Sequence, residues 1–376
     1  MDRRHVAIAL AALFTLPALL ALPTPALAQE YVLPTPEEYA ERAERAESAP
    51  LFQSHEPIRM TLRTDIEWLR DERSDSIEVE GTLTFMDNGV EVVKPVDTRA
   101  RGERRRDKAV CNFPPLRLDF PTGQMEGTVF EGQDKLKLVT PCNDRRDSYQ
   151  NYVFDEYLIY RVLNIVTPES FRVRLVEITY EDIEGDYDTR TKFGFLIEDE
   201  EVMAERNRAT FEDVSQFHPA RADSEFSVLV AVFNYMIANT DWSPVYFHNF
   251  KLIRTEDARY LTIPYDFDIT GVVNPRYAVV DPSTGLQRVT QRIFRGFCRD
   301  ELVFPDGVAR FAETRGEITA LYEDFAALGW EHFDEDDAKD ALEFYEDFYE
   351  VVDSEEEFED EIVDDCRSME TGRRRG

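Results

Sequence analysis

Positive charge is what this sequence has least of, relative to its opposite. Its 43 lysines and arginines face 77 aspartates and glutamates, a formal net charge of -34. A surface of that sign repels nucleic acid and anionic membranes and favours cations and basic partners. Histidine is scarce too, with 5 in 376 residues. Neither mid-chain histidine, His218 or His248, belongs to a His-Glu-x-x-His segment, and the chain has no Gly-x-Ser-x-Gly elbow and no Walker loop. Zinc hydrolases, nucleophile-elbow hydrolases and P-loop enzymes are thereby disfavoured. The 4 cysteines, Cys111, Cys142, Cys298 and Cys366, are scattered without a CxxC pair, which argues against a zinc site. Beyond residue 28 no stretch supplies the roughly 18 uncharged apolar residues of a membrane span.

Apolar material is plentiful. Hydrophobic residues make up 43% and aromatics 12%, with 26 Phe and 16 Tyr, far too much for a disordered chain. The first 28 residues read as a cleaved signal peptide: Arg3 and Arg4, an apolar run over 6–22, and Ala26-Leu27-Ala28 before Gln29. Pro17 and Pro23 argue against an uncleaved anchor helix. The expected destination is the periplasm, the cell envelope or the medium. In such a compartment four cysteines suggest two disulfides, with three possible connectivities. The pairing nearest in sequence joins Cys111 to Cys142 and Cys298 to Cys366.

Residue patterns give β-rich structure first and helices later. After an arm over 29–55, whose charged stretch 36–47 has helical character and is expected to be mobile, Ile58, Met60 and Leu62 alternate as a strand. Strands over 77–85 and 90–101 flank Asp87-Asn88-Gly89, a strong hairpin signal. Leu116, Leu118 and Phe120 alternate again, as do Leu136 and Leu138. Helical spacing over 148–166 is stopped by Pro168, and a hairpin follows from 171–180 and 191–197. The most apolar helix, 224–238, precedes a hairpin of 247–253 and 260–265. Helices over 309–328 and 337–352 close the chain, the second acidic and amphipathic through Leu342, Tyr345, Phe348, Tyr349 and Val352. Arg373-Arg374-Arg375 lies in a basic, frayed tail over 367–376.

The chemistry concentrates between Asn239 and Gly271: Asn239-Thr240-Asp241-Trp242, His248-Asn249, and Pro264-Tyr265-Asp266-Phe267-Asp268. Asp241 follows the apolar helix, and Asn249 and Asp266 flank the open end of one hairpin. Asp266 and Asp268, two apart, face one side if the strand continues. Carboxylates and an amide converging without a Lys or Arg partner are unfavourable unless a divalent ion joins them. Taken singly, each of these residues is as readily a loop cap, a turn former or a solvated acid. His248 reads as structural or as a hydrogen-bond aid to Asp241.

At these residues the chain resembles the spore-coat CotH kinase family, atypical exported protein kinases. The resemblance spans about residues 95–275. It is carried by Asn239-Thr240-Asp241, His248-Asn249 and Pro264-Tyr265-Asp266-Phe267-Asp268, and more weakly by Arg99-Ala100-Arg101-Gly102, Leu116-Arg117-Leu118-Asp119-Phe120 and Gly194-Phe195-Leu196-Ile197-Glu198. It implies an α+β, two-lobed kinase-like domain over 56–366, with a β-rich lobe (56–200), a mainly helical lobe (201–366) and a metal-site hairpin. It further implies ATP as phosphate donor with Mg²⁺ or Mn²⁺. Asp241 would orient or deprotonate the acceptor hydroxyl, Asn249 and Asp266 would hold the metal, and Asp268 would support a second ion. Arg101, Arg117, Lys135, Lys137, Glu156 and Glu198 are the candidates on the nucleotide side.

Two departures stand out. Gly102 is followed by Glu103-Arg104-Arg105-Arg106-Asp107, where the family has a Ser/Asn-rich segment, so those arginines either hold phosphate by charge or lie on the surface. The family's strand lysine falls at Arg117, with Lys135 and Lys137 as substitutes. The expected function is transfer of phosphate from ATP to protein hydroxyls; the alternative is a catalytically silent, kinase-like envelope or surface protein that binds metal, ligand or a protein partner.

Overall fold

The strand Ile58–Thr64 (β1) decides the topology of the first half. In the computed structural model, which describes residues 33–300 and 303–370, β1 pairs antiparallel with β2 (Val79–Asp87) on one side. On the other it pairs parallel with β6 (Val173–Asp182), in register from Ile58↔Val176 to Thr64↔Asp182. The chain between them runs through β3 (Val90–Ala100), β4 (Leu116–Asp119), β5 (Lys135–Val139) and, after β6, β7 (Arg190–Ile197). The result is a closed barrel in the order β1-β2-β3-β4-β5-β7-β6.

This overturns the expected two-lobed kinase-like fold. An open sheet forming one lobe would leave edge strands with unpaired backbone groups. Here β1 is paired along both sides, so the barrel has no free edge. The alternating apolar residues found in the sequence fill its interior: Leu62, Leu83, Leu118, Leu136, Ile178 and Leu196 are each 0–1% exposed. At the β2–β3 hairpin Asn88 and Gly89 both take positive φ, 49° and 80°, as a two-residue I′ turn requires.

A second core lies outside the barrel wall. Helix α3 (Tyr149–Val166) contacts β6 and β7 and is followed in chain order by α4 (Glu200–Arg206) and a short strand β8 (Ala209–Glu212). Helix α5 (Ser224–Met236) then leads into β9 (Phe250–Thr255) and β10 (Tyr260–Pro264), which with β8 make a three-stranded sheet in the order β10-β9-β8. Helices α6 (Val303–Ala327) and α7 (Glu335–Asp353) complete this core, α6 contacting α3, α5 and α7. Asp334 caps α7 in a reciprocal capping box with Asp337. Tyr345, Phe348 and Tyr349 are buried, so the acid run does carry a helix with one apolar face.

Two local expectations change, and one short helix is added to them. The stretch expected as a mobile arm forms a docked helix, α1 (Pro36–Ser48), with Tyr39 and Ala46 buried and Arg42 and Arg45 paired to Glu205. The next helix along the chain, Ile66–Glu72 (α2), is capped by Asp65 and is too short and too charged to register as periodic. Arg367, expected to open a frayed tail, exchanges backbone hydrogen bonds with Gly296 and Cys298, each 2.9 Å. The expected signal peptide and Arg373-Arg374-Arg375 lie outside the described residues. Both disulfides form in the nearest-in-sequence pairing, Cys111–Cys142 and Cys298–Cys366. Among the described residues no helix is long and apolar enough to cross a membrane.

Candidate active site

The loop that carries Asp241 is set by the end of α5. Ala238 adopts a left-handed conformation (φ 49°), which turns the chain so that the Asn239 N–H returns to the Asn234 carbonyl at 2.7 Å. The buried Asn239 side chain donates to the Asn234 Oδ1 at 2.8 Å and accepts the Asp241 N–H at 2.9 Å. Asn234 in turn donates to the Val230 carbonyl at 2.8 Å. Trp242 Nε1–H closes the turn on the Asn239 carbonyl at 3.0 Å. Asp241 therefore hangs on a ladder of buried amides rooted in the helix, with its carboxylate half exposed.

The hairpin β9–β10 supplies the facing residues. Its mouth is closed by the Tyr265 N–H donating to the Asn249 carbonyl at 3.1 Å. Asn249 donates its amide to the Asp241 carbonyl at 2.7 Å, and His248 Nε2 lies 2.8 Å from Asp241 Oδ1. The strand ends at Pro264, yet Asp266 and Asp268 still share one side while Phe267 points into the core against Tyr160 and Phe233. Phe247, Asn249 and Asp266 have φ of 51°, 56° and 65°. Left-handed backbone in such residues is costly and tends to accumulate where function demands it.

Asp241, His248, Asn249, Asp266 and Asp268 line one cleft of about 630 Å³ together with Arg101, Arg104 and Arg105 from the rim of the barrel. Gly102, at φ 83°, bends the chain out of β3 into a single turn, Arg104–Arg106, and the Cys111–Cys142 disulfide ties the same loop down. Arg105 folds inward. It donates to the Thr140 carbonyl and lies 3.9 Å from both Glu156 and Asp268. Arg106 faces outward to Asp75 at 2.8 Å.

The electrostatics of the floor are unbalanced. Burial and then the neighbouring Asp266 raise the Asp268 carboxyl to about 7. Burial, followed by Asp268 and Asp266, lifts Glu156 well above the usual carboxyl range despite Arg105 and Arg101. The Tyr277 phenol stands beside Asp268, while the Asp266 N–H donates to the Tyr160 hydroxyl at 2.8 Å. Asp268 Oδ2 is buried without a hydrogen-bond partner. Among the described residues no three His, Cys, Asp or Glu side chains gather closely enough to enclose a cation by themselves. Magnesium does not need such a cage: it is usually held by one or two carboxylates plus the phosphate oxygens of the substrate. Asp266, Asp268 and the Asn249 amide oxygen fit that partial donor set.

The sequence-derived candidates divide cleanly. Asp241, Asn249, Asp266, Asp268 and Arg101 line the cleft, and Glu156 lies beneath it, facing Arg105. Arg117, Lys135 and Lys137 are not among the lining residues; Arg117 pairs opposite Lys137 on β4 and β5. Lys137 is held by Glu200 at 2.9 Å. Burial works to raise Glu200, but Lys137 and Lys251 overcome it and hold that carboxyl down to about 2. Glu198, 0% exposed, is consumed by Arg172 and Arg206 at 2.8 and 3.1 Å. Sequence reasoning did not single out Tyr160 or Tyr277, whose roles arise from long-range packing that no local pattern signals. It noted the Arg104–Arg106 run without distinguishing the inward arginine.

Comparison of the chain with protein-family models, with curated proteins and with solved structures finds no match.

Proposed function

We propose that the chain is a phosphotransferase that moves phosphate from a nucleoside triphosphate, ATP with Mg²⁺ or Mn²⁺, to protein hydroxyl groups. One observation carries this reading: a half-exposed carboxylate, Asp241, shares a cleft with a partial hard-cation donor set and with arginines from the barrel rim. Phosphoryl transfer asks for that combination, because its loose transition state needs positioning and charge compensation more than covalent chemistry. The reading rests on the site alone, since a fold does not fix a function.

In this scheme Asp241 accepts a hydrogen bond from the acceptor hydroxyl and takes its proton as the hydroxyl oxygen bonds to the terminal phosphorus of ATP, the P–O bond to ADP breaks and ADP leaves. His248 and the Asn239–Asn234 ladder fix the carboxylate and its backbone for that task. Asn249, Asp266 and Asp268 would hold the divalent ion, which supplies neutralisation of the phosphate charge when bound. The arginine wall orients the phosphate chain. Two disulfides support an exported setting, where such bonds persist.

The second reading, a catalytically silent envelope or surface protein that binds metal, ligand or a protein partner in this cleft, is favoured by one feature. Lys137, one of the lysines that could have taken the place of the strand lysine, is already committed to Glu200. Transfer of the terminal phosphate of ATP to a protein acceptor, lost in Asp241→Ala and Asp266→Ala, separates the two, with calorimetric titration of ATP and Mg²⁺ beside it. Phosphotransfer predicts binding by wild type, a large loss of affinity for Asp266→Ala and little loss for Asp241→Ala. A wild-type chain that binds no nucleotide contradicts it.

A further inference from the structure

Arg105 and Asp268 confront each other without satisfying each other. Both residues are more than nine-tenths buried, and both line the cleft. Arg105 Nε–H has no hydrogen-bond partner, and neither does Asp268 Oδ2. The two atoms are 3.9 Å apart, well beyond the roughly 2.7–2.9 Å of a charge-assisted bond. A guanidinium and a carboxylate that could close on one another are thus held open. An unmade bond of this kind costs free energy when both groups are buried. The gap is held from both sides. Arg105 is anchored by the Thr140 carbonyl, in a loop tied down by the Cys111–Cys142 disulfide and by Arg73, which donates to the carbonyls of Arg106, Cys111 and Asn112. Asp268 is fixed through its neighbours, since the Asp266 N–H donates to the Tyr160 hydroxyl at 2.8 Å and Phe267 packs against Tyr160 and Phe233.

A ligand that satisfies both atoms presents an anionic oxygen to the arginine and a cation to the aspartate. A bare anion meets the Asp266 carboxylate beside Asp268 and is repelled. A bare cation meets Arg105. A metal-bound phosphate chain carries both signs in the required order. We propose that Arg105 is the residue that grips the phosphate chain of a metal–polyphosphate ligand, in the position for which the sequence suggested Arg117, Lys135 or Lys137. The assignment deepens the phosphotransfer reading, and its test stands apart from activity.

The probe is inorganic pyrophosphate, titrated calorimetrically into the full chain in Mg²⁺ and again in EDTA. Wild type binds in Mg²⁺ and at least about tenfold more weakly in EDTA, because only the paired ligand meets both charges. Arg105→Lys keeps the charge but loses the planar fork, so affinity drops by about tenfold or more. Arg105→Gln can still donate to the Thr140 carbonyl and lowers affinity further; Arg117→Gln leaves it unchanged. Near-ultraviolet dichroism verifies that each variant is folded. Pyrophosphate affinity equal to wild type in a folded Arg105→Lys or Arg105→Gln chain overturns the assignment, as does a wild type that binds no pyrophosphate. If those variants keep wild-type affinity while ATP transfer persists, the Arg105 assignment fails and the phosphotransfer reading stands. Arg105-dependent pyrophosphate binding without ATP binding does the reverse.

Discussion

At the scale of the residue, Asp268 is where burial and function pull hardest against each other. Its carboxyl is raised from 3.8 to about 7, first by burial and then by Asp266. The folded chain therefore holds this proton more tightly than the unfolded chain. The stability it contributes is complete below the unfolded value and is lost as pH rises through about 7. In metal-free protein the Tm is expected to fall between about pH 5 and pH 8 by more in wild type than in Asp268→Asn, which has no proton to lose. Added Mg²⁺ restores wild type at the upper end by giving the carboxylate a partner. Identical pH slopes in the two proteins, read by differential scanning fluorimetry, would remove Asp268 from the charged floor of the site. This strain was not legible in the sequence. The Asp266–Asp268 spacing is local, whereas Glu156 and Tyr277, which shape its surroundings, lie more than a hundred residues before it in one case and in an unpatterned loop in the other.

At the scale of the element, the informative junction is the end of α5. Periodicity located this helix within a residue or two, because a strongly apolar stretch followed by Asn239 is a local signal. The hairpin β9–β10 was legible for the same reason, and it brought Asn249 and Asp266 together as expected. What local pattern could not supply was the amide ladder from Asn234 through Asn239 to the Asp241 N–H. Replacing Asn239 with Ala leaves the Asn234 Oδ1 and the Asp241 N–H without their partner, which costs about 1–3 kcal/mol. Melting should show that loss. If the ladder positions Asp241, kcat falls by about tenfold or more while ATP affinity, which depends on the far side of the cleft, changes little. An Asn239→Ala chain that loses stability but keeps its full turnover would reduce the ladder to a structural role. The short elements α4 and β8 escaped the sequence reading, being only 7 and 4 residues long; their stability comes from what they pack against.

At the scale of the whole molecule, element content was legible and topology was not. Several barrel strands carry an apolar/polar alternation that can be read directly, as β1 does through Ile58, Met60 and Leu62. Whether seven such strands lie open or close on themselves depends on the parallel pairing of β1 with β6, more than a hundred residues apart. Alternation is the same in either case, so the resemblance to a two-lobed kinase decided the expectation and the barrel corrected it. The site survives this correction because its parts are local to the hairpin and the α5 junction, with the barrel contributing the arginine rim. The central claim, hydroxyl phosphotransfer, is tested most directly by following the labelled terminal phosphate of ATP in the presence of Mg²⁺ and a Ser/Thr/Tyr-containing protein acceptor. Wild type should transfer label into acid-stable phosphoester, and Asp241→Asn should do so about 10²–10⁴-fold more slowly at unchanged ATP affinity. Equal transfer by the two proteins, or none by a wild type that binds ATP across a broad panel of acceptors, would contradict it.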